Sequence, residues 1–277
     1  MVLVVAGGGL YPGHFTRELV DVLGRADMVI VETYTMPWSG WLVDEVRRYA
    51  GGGVVIATRS MLEEESHRLL KEAVERDIVI VTAGDPLIAT THRALISEAS
   101  RMGVKYRVIH GVSGVCSAKA DSGLDYYKYG RTVTIPGPWR GVKAYSVLMY
   151  TYSNMCAGLH TLLLLDVDER GNQLNPRDAA IILLNLEEEA GISVLGKSRI
   201  LIVWNSGMEN VLVEAYKLNE LSTLETTPKG IASLVVPGEV SPIEAEHLEL
   251  TYNIKLGLSQ HKQLLPEACN ALNKLKE

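Results

Sequence analysis

Residues 4–13, VVAGGGLYPG, decide how the first half of the chain is read. An apolar run of strand length breaks into Gly7, Gly8 and Gly9, and consecutive glycines let a backbone approach a ligand closely. A Walker-type phosphate loop needs Gly-Lys-Ser/Thr, and no Lys occurs before position 71. The dinucleotide fingerprint G-x-G-x-x-G finds Gly7 and Gly9, with Glu32 closing the next apolar run where a ribose-binding acid belongs. Its sixth position is Pro12, however, and helical periodicity starts only near His14 or Phe15. YPGH therefore reads as a turn, and an NAD-dependent oxidoreductase stays an alternative of lower rank.

Working outward, apolar runs alternate with helix-periodic stretches: VLVVA (2–6), MVIVE (28–32), VVIA (54–57), DIVIVTAGDP (77–86) and KYRVIH (105–110). Between them FTRELVDVLGRA repeats Phe15, Leu19, Val22 and Leu23 at helical spacing, and Ser60 with Glu63 reads as a capping box opening a helix. Strands this uniformly apolar are buried on both faces, and connections of this length are crossover helices. Residues 1–112 are thus expected to form an N-terminal parallel α/β domain. Such sheets bind ligands beyond the carboxyl ends of their strands, which selects residues 7–10, 32–35, 82–85 and 110–114. In residues 113–277, RILIVW, NVLVEAYKL and ASLVVPG follow one another with fewer helices between. That order predicts a C-terminal mixed-sheet α+β domain, closed by a docked terminal helix beyond Lys255.

The chain has 277 residues, 47% hydrophobic and 22% charged, with a single Phe, so core packing falls to Val, Leu, Ile and Ala. A net charge of -6 argues against a nucleic-acid partner. Cys116, Cys156 and Cys269 show neither C-x-x-C nor zinc-ligand spacing; the expectation is three small buried thiols in a reducing compartment, with no metal site. The first apolar run ends at Ala6 without a basic n-region, and no run approaches the ~20 residues of a membrane span. A cytoplasmic protein without a membrane partner is expected.

TAGDPLIATTH (82–92) is the second informative stretch. Gly-Asp-Pro after a buried strand makes a sharp turn, and Asp85 falls at the same sheet edge as residues 7–10. Taken in order, GGGLY, ETYT, TAGDPLIATTH, HGVSG, GLHTLLLLD and VPGEVSPIEAEHL resemble the diphthine synthase family of the tetrapyrrole-methylase superfamily, over about residues 1–250. The resemblance implies a two-domain tetrapyrrole-methylase-like fold, a homodimer, and S-adenosylmethionine held folded in the interdomain cleft, with S-adenosylhomocysteine as product. By motif position it places cofactor contacts on Leu10, Asp85, Ile88, Ser113, Gly114 and Leu165, and, by position only, on Ser206 and Ala232. The family pattern has His where this chain has Ala232, so a backbone contact is all that remains there. The implied acceptor is the amino group of a modified histidine on translation elongation factor 2, carried to the trimethylated form. A tetrapyrrole methyltransferase of the precorrin type is the alternative from the same superfamily; its acidic macrocycle favours Arg in the site, and the loops named here carry few.

No catalytic base is assigned: Tyr11, His14, Glu32, Tyr34 and His92 are the polar candidates, and His160 reads as a satisfied core histidine. The Trp-containing stretches 35–41 and 135–141, with Trp38 and Trp139, are expected to meet the protein substrate.

Overall fold

A computed structural model describes residues 1–36, 39–224 and 229–276; Trp38 lies outside the described residues. The chain divides into two compact units. One comprises Met1–Cys116 with Glu169–Gly171, the other Ser117–Asp168 with Asn172–Glu277.

The first unit is built on a parallel five-stranded sheet of β1 (Leu3–Gly7), β2 (Met28–Glu32), β3 (Gly53–Ile56), β4 (Ile78–Thr82) and β5 (Tyr106–Ile109), in the order β3-β2-β4-β1-β5. Alternate residues of the three central strands, β1, β2 and β4, feed opposite cores, as a pleated strand requires. The edge strands β3 and β5, expected to be buried on both faces, are instead largely exposed. Leu3, Val5, Ile30, Ile78 and Ile80 pack with Leu62, Leu70, Leu95 and Ala99 on one side. Val4, Ala6, Val29, Val31, Val79 and Val81 pack with Leu19, Leu23, Leu42 and Val46 on the other. The helices that cover these faces are α1 (Arg17–Leu23), α2 (Gly40–Tyr49), α3 (Arg59–Glu63), α4 (Ser66–Glu72) and α5 (His92–Arg101).

One expectation is corrected here. The 60–74 stretch is two helices, and Thr58, not Ser60, caps the first: its hydroxyl accepts the Met61 N–H at 3.2 Å. Thr58 has the extended backbone an N-cap needs, whereas Ser60 already lies inside the first turn, with its hydroxyl on Glu64.

Helix α6 (Gly114–Asp121) follows the first sheet. The second unit's sheet joins β6 (Val133–Ile135), β7 (Thr161–Leu165), β8 (Arg199–Trp204), β9 (Leu212–Lys217) and β10 (Ala232–Val236), in the order β6-β7-β10-β8-β9. Only β6 and β7 run parallel; the other neighbours are antiparallel. Its core draws on α7 (Tyr145–Cys156), α8 (Pro176–Glu189), the short α9 (Leu218–Leu221) and, beyond α10 (Pro242–Tyr252), the closing α11 (Leu258–Lys276). The two predicted sheet types are therefore present in the predicted order.

The cysteine expectation fails. Cys156, the last residue of α7, is disulfide-bonded to Cys269 of α11, and Cys116 takes no part in the disulfide. Packing of the two helices brings the Cα atoms to 5.0 Å, inside the range a disulfide spans, and a sequence separation of 113 hides that proximity. No described helix is long and apolar enough to cross a membrane.

Candidate functional site

In the first sheet, β1 leads over one face through α1 to β2, while its neighbour β4 leads over the opposite face through α5 to β5. Adjacent strands whose connections part in this way open a crevice at their carboxyl ends. The two loops flanking that point are GGGLYPGH and GDPLIATTH.

Their backbones are locked together. Gly9 N–H donates to Gly84 O at 3.1 Å and Gly84 N–H to Gly9 O at 2.7 Å. A Cβ on Gly7 would stand 2.4 Å from Gly84 O and 2.8 Å from Gly111 N, so three strand ends meet where no side chain fits. Gly9 holds φ +72°, a backbone that disfavours other residues. Gly7 thus admits the backbones of Gly84 and Gly111, and Gly9 the His14 side chain, and both shape the loop that carries Leu10.

Leu10 is buried, and its N–H donates to His14 Nδ1 at 3.2 Å. That nitrogen is therefore the acceptor, and burial holds the imidazole below its ordinary pKa. Tyr11 packs on the same ring at 4.1 Å between centroids. Asp85 is almost wholly buried, and its carboxylate is spent on its own chain. Oδ1 accepts Leu87 N–H at 2.9 Å, while Oδ2 meets His110 Nδ1 at 2.8 Å and Gly111 N–H at 3.4 Å. Ile88 is exposed on the turn that follows, and Ala89 beside it adopts φ +57°. Ser113 caps α6, its hydroxyl accepting Cys116 N–H at 3.4 Å, and Gly114 lies against Leu10. The structure thus gathers Leu10, Asp85, Ile88, Ser113 and Gly114 at the carboxyl ends of β1, β4 and β5.

Glu32, the acid a nicotinamide enzyme would reserve for ribose, is 1% exposed. Its carboxylate accepts Thr35 N–H at 2.8 Å, Thr35 Oγ1–H at 2.6 Å and Thr82 Oγ1–H at 2.8 Å. Such a carboxylate ties β2 to β4 and offers little to a nucleotide. The buried hydroxyl of Tyr34 has no hydrogen-bond partner among the described residues; burial, with Glu32 and Glu63 nearby, pushes its pKa far up. His92 is 3% exposed; its Nδ1 lies 3.2 Å from Pro86 O and 2.7 Å from Thr90 Oγ1, and its Nε2 has no partner among the described residues.

In the second unit, antiparallel pairing brings the carboxyl ends of β7 and β8 beside the start of β10. Leu165, Ser206 and Ala232 therefore share one end of that sheet. Leu165 pairs with Ile135 and is buried. Ser206 is half-buried and follows Asn205, whose side chain accepts Ile231 N–H and donates to Lys229 O. Ala232 N–H donates to Gln173 Oε1 at 2.8 Å, and Gln173 Nε2 returns a bond to Ala232 O at 2.9 Å. The backbone groups left to Ala232 are thus already engaged by a side chain that motif reading did not single out.

At the same sheet end Asp166 holds the 136–140 turn, with Arg140 Nε at 2.8 Å, Arg140 Nη2 at 2.9 Å and Gly137 N–H at 3.0 Å. Burial pushes the Asp166 carboxyl up, but Arg140 and the N–H groups of Gly137 and Val167 outweigh it and hold the pKa below its ordinary value. The clamp leaves Trp139 41% exposed. His160, by contrast, is wholly buried: Nδ1 accepts Gly238 N–H and Nε2 meets Glu244 Oε1, both at 2.9 Å.

The strand ends of β1, β4 and β5 carry no Lys or Arg across residues 7–14, 82–92 and 110–116, and among the described residues no cluster of His, Cys, Asp or Glu could hold a metal ion. The donor set is backbone amides, small residues and one engaged carboxylate, with no basic side chain to pair with an anionic group.

Residues 1–222 match the family model of tetrapyrrole (corrin/porphyrin) methylases, and the chain belongs to that family. It is a methyltransferase. Among relatives, the diphthine synthase of Aeropyrum pernix is 43% identical over 251 residues, covering 88% of this chain and 85% of that one. The diphthine synthase of Pyrobaculum neutrophilum is 40% identical over 253 residues, covering 88% and 96%. Among solved structures, a conserved hypothetical protein from Aeropyrum pernix K1 superposes with a TM-score of 0.90 at 39% identity, over 98% of each chain. A crystal structure of diphthine synthase superposes at 0.82 with 27% identity, covering 94% of this chain and 100% of the other.

Proposed function

We propose that the protein is a diphthine synthase, methylating the amino group of the modified histidine of translation elongation factor 2 with S-adenosylmethionine. The observation that carries this reading is the chemistry of the strand ends. Two interlocked glycine loops and a buried carboxylate flank the switch point of a parallel sheet, without one basic side chain among them. S-adenosylmethionine supplies an already activated methyl group on a sulfonium cation and has no phosphate to be held. The names of the relatives agree with the same reading.

On this proposal, the loops bearing Leu10, Asp85, Ile88, Ser113 and Gly114 hold the cofactor, and Leu165, Ser206 and Ala232 contribute from the second sheet. Asp85 acts by fixing the turn, since its oxygens already serve Leu87, His110 and Gly111. The protein's main task in the transfer is alignment of donor and acceptor at near-attack distance. The absence of Arg and Lys from the ends of β1, β4 and β5 disfavours a polycarboxylate tetrapyrrole as acceptor. Trp139, part-exposed on the turn that the Arg140–Asp166 clamp holds, is proposed to meet the protein substrate.

Incubation with labelled S-adenosylmethionine and elongation factor 2 carrying the unmethylated intermediate is the test. Label should pass to the factor; none passing while a competent control enzyme succeeds on the same preparation overturns the proposal.

A further inference from the structure

The turn that carries Ile88 is held from two sides. In front, Asp85 binds Leu87 N–H and reaches across to His110 and Gly111. Behind it stands His92, the first residue of α5, whose imidazole is buried under the turn. Pro86 O is an acceptor only, so the ring nitrogen facing it at 3.2 Å carries the hydrogen. The same Nδ1 lies 2.7 Å from Thr90 Oγ1, and that hydroxyl also takes His92 N–H at 3.3 Å. One N–H therefore fastens both shoulders of the turn, Pro86 and Thr90.

The residues between the shoulders need such a fastening. Ala89 sits at φ +57°, a conformation that costs a non-glycine residue free energy and persists only where the surroundings impose it. Ile88 next to it is exposed and makes one weak backbone contact, its N–H 3.4 Å from Asp85 O. With the hydrogen on Nδ1, Nε2 is engaged by no described residue. The two nitrogens are thus unequal, one bonded twice and the other not at all.

We infer that His92 is a positioning residue, which holds the 86–90 turn through Nδ1 alone in the form that meets the cofactor; this rests on the cofactor reading proposed above. An Asn side chain places its amide N–H where Nδ1 stands, whereas a Gln side chain reaches only where Nε2 stands. The isosteres therefore separate the two nitrogens.

The test compares wild type, His92→Asn, His92→Gln and Thr90→Val in the full chain. It measures S-adenosylhomocysteine affinity by calorimetry, hydrogen exchange of residues 84–90 without ligand, and global unfolding by urea. His92→Asn should bind within about threefold of wild type and keep slow exchange in the turn. His92→Gln should bind about tenfold more weakly, the loss of one buried hydrogen bond, with faster exchange confined to the turn; Thr90→Val should move in the same direction. Normal affinity in His92→Gln with loss in His92→Asn would make Nε2 the working atom and overturn the inference. So would affinity losses that simply track global stability in all variants. Should wild type itself fail to bind S-adenosylhomocysteine, the cofactor reading falls, and the clamp is still decided by exchange: unequal rates in the Asn and Gln variants support it, equal rates overturn it.

Discussion

Each half of the molecule contains a histidine beside a buried carboxylate, and the two pairs differ in what surrounds them. His110 meets Asp85 at 2.8 Å with 69% of its side chain in solvent, at the open end of a parallel sheet. His160 meets Glu244 at 2.9 Å with none of its side chain exposed. Around Glu244 the structure is complete. It also accepts Lys128 Nζ, Asp125 N–H and both donors of Ser241, whose hydroxyl in turn caps α10. The second pair is architecture, because every group has its partner and none can reach a ligand. In the first pair the carboxylate organises a turn and a strand end while the imidazole faces outward. A histidine–carboxylate contact therefore says little about function until the exposure of each partner is known.

His160→Ala should produce the largest change, about 3 kcal/mol of lost stability in urea unfolding, since it empties a wholly buried site and leaves Gly238 N–H without its acceptor. Acid sharpens the same point. Burial pushes Glu244 up, but Lys128, the N–H groups of Ser241 and Asp125, and His160 more than compensate and hold it at about 2. A depressed carboxylate contributes stability that is present above its unfolded pKa, about 4.3, and is lost as pH falls toward 2. Unfolding free energy should therefore decline across that window, and less steeply in Lys128→Met.

Gly7→Ala comes next, at about 2 kcal/mol, because its Cβ would collide with backbone atoms of Gly84 and Gly111. S-adenosylhomocysteine should no longer raise its melting temperature. Asp85→Asn, at about 1 kcal/mol, should weaken cofactor binding as the turn loses a charge-assisted bond; isothermal titration reads it. His110→Ala, which removes an exposed partner, should cost at most about 0.5 kcal/mol in the same unfolding assay. If His110→Ala destabilises as much as His160→Ala, the contrast between the two pairs is wrong. His14 gives the smallest effect. Burial lowers its pKa from 6.5, so the unfolded chain binds the proton first and stability falls as pH drops below 6.5. Melting curves between about pH 7 and 5 should show that slope, and His14→Ala should flatten it.

Much of this was legible in the residues alone. Runs such as VLVVA and IVIVT are apolar at every position, which only a sheet covered on both faces can bury, so the parallel first unit followed directly. The GDP turn and the glycine loop were readable because turn chemistry is local. What escaped was tertiary. Nothing near Glu32 announces that Thr82, fifty positions on, would take its lone pair, and nothing in Gln173 signals a two-way bond to Ala232. The Thr58 cap was missed because Ser60 with Glu63 offers a capping-box pattern only two residues later. His110 was within reach: it closes an apolar run whose carboxyl end must lie near that of β4, opposite Asp85.

The bond between Cys156 and Cys269 also changes the covalent topology of the chain. Residues 156–269 become a closed ring that includes β7, β8, β9 and β10, so four of the five strands in the second sheet belong to one macrocycle. A protease that cuts once inside this ring, at Arg170 for example, separates nothing. The nicked chain should migrate as a single band until a reductant is added and as two bands afterwards, while a cut in the first 155 residues divides the molecule at once.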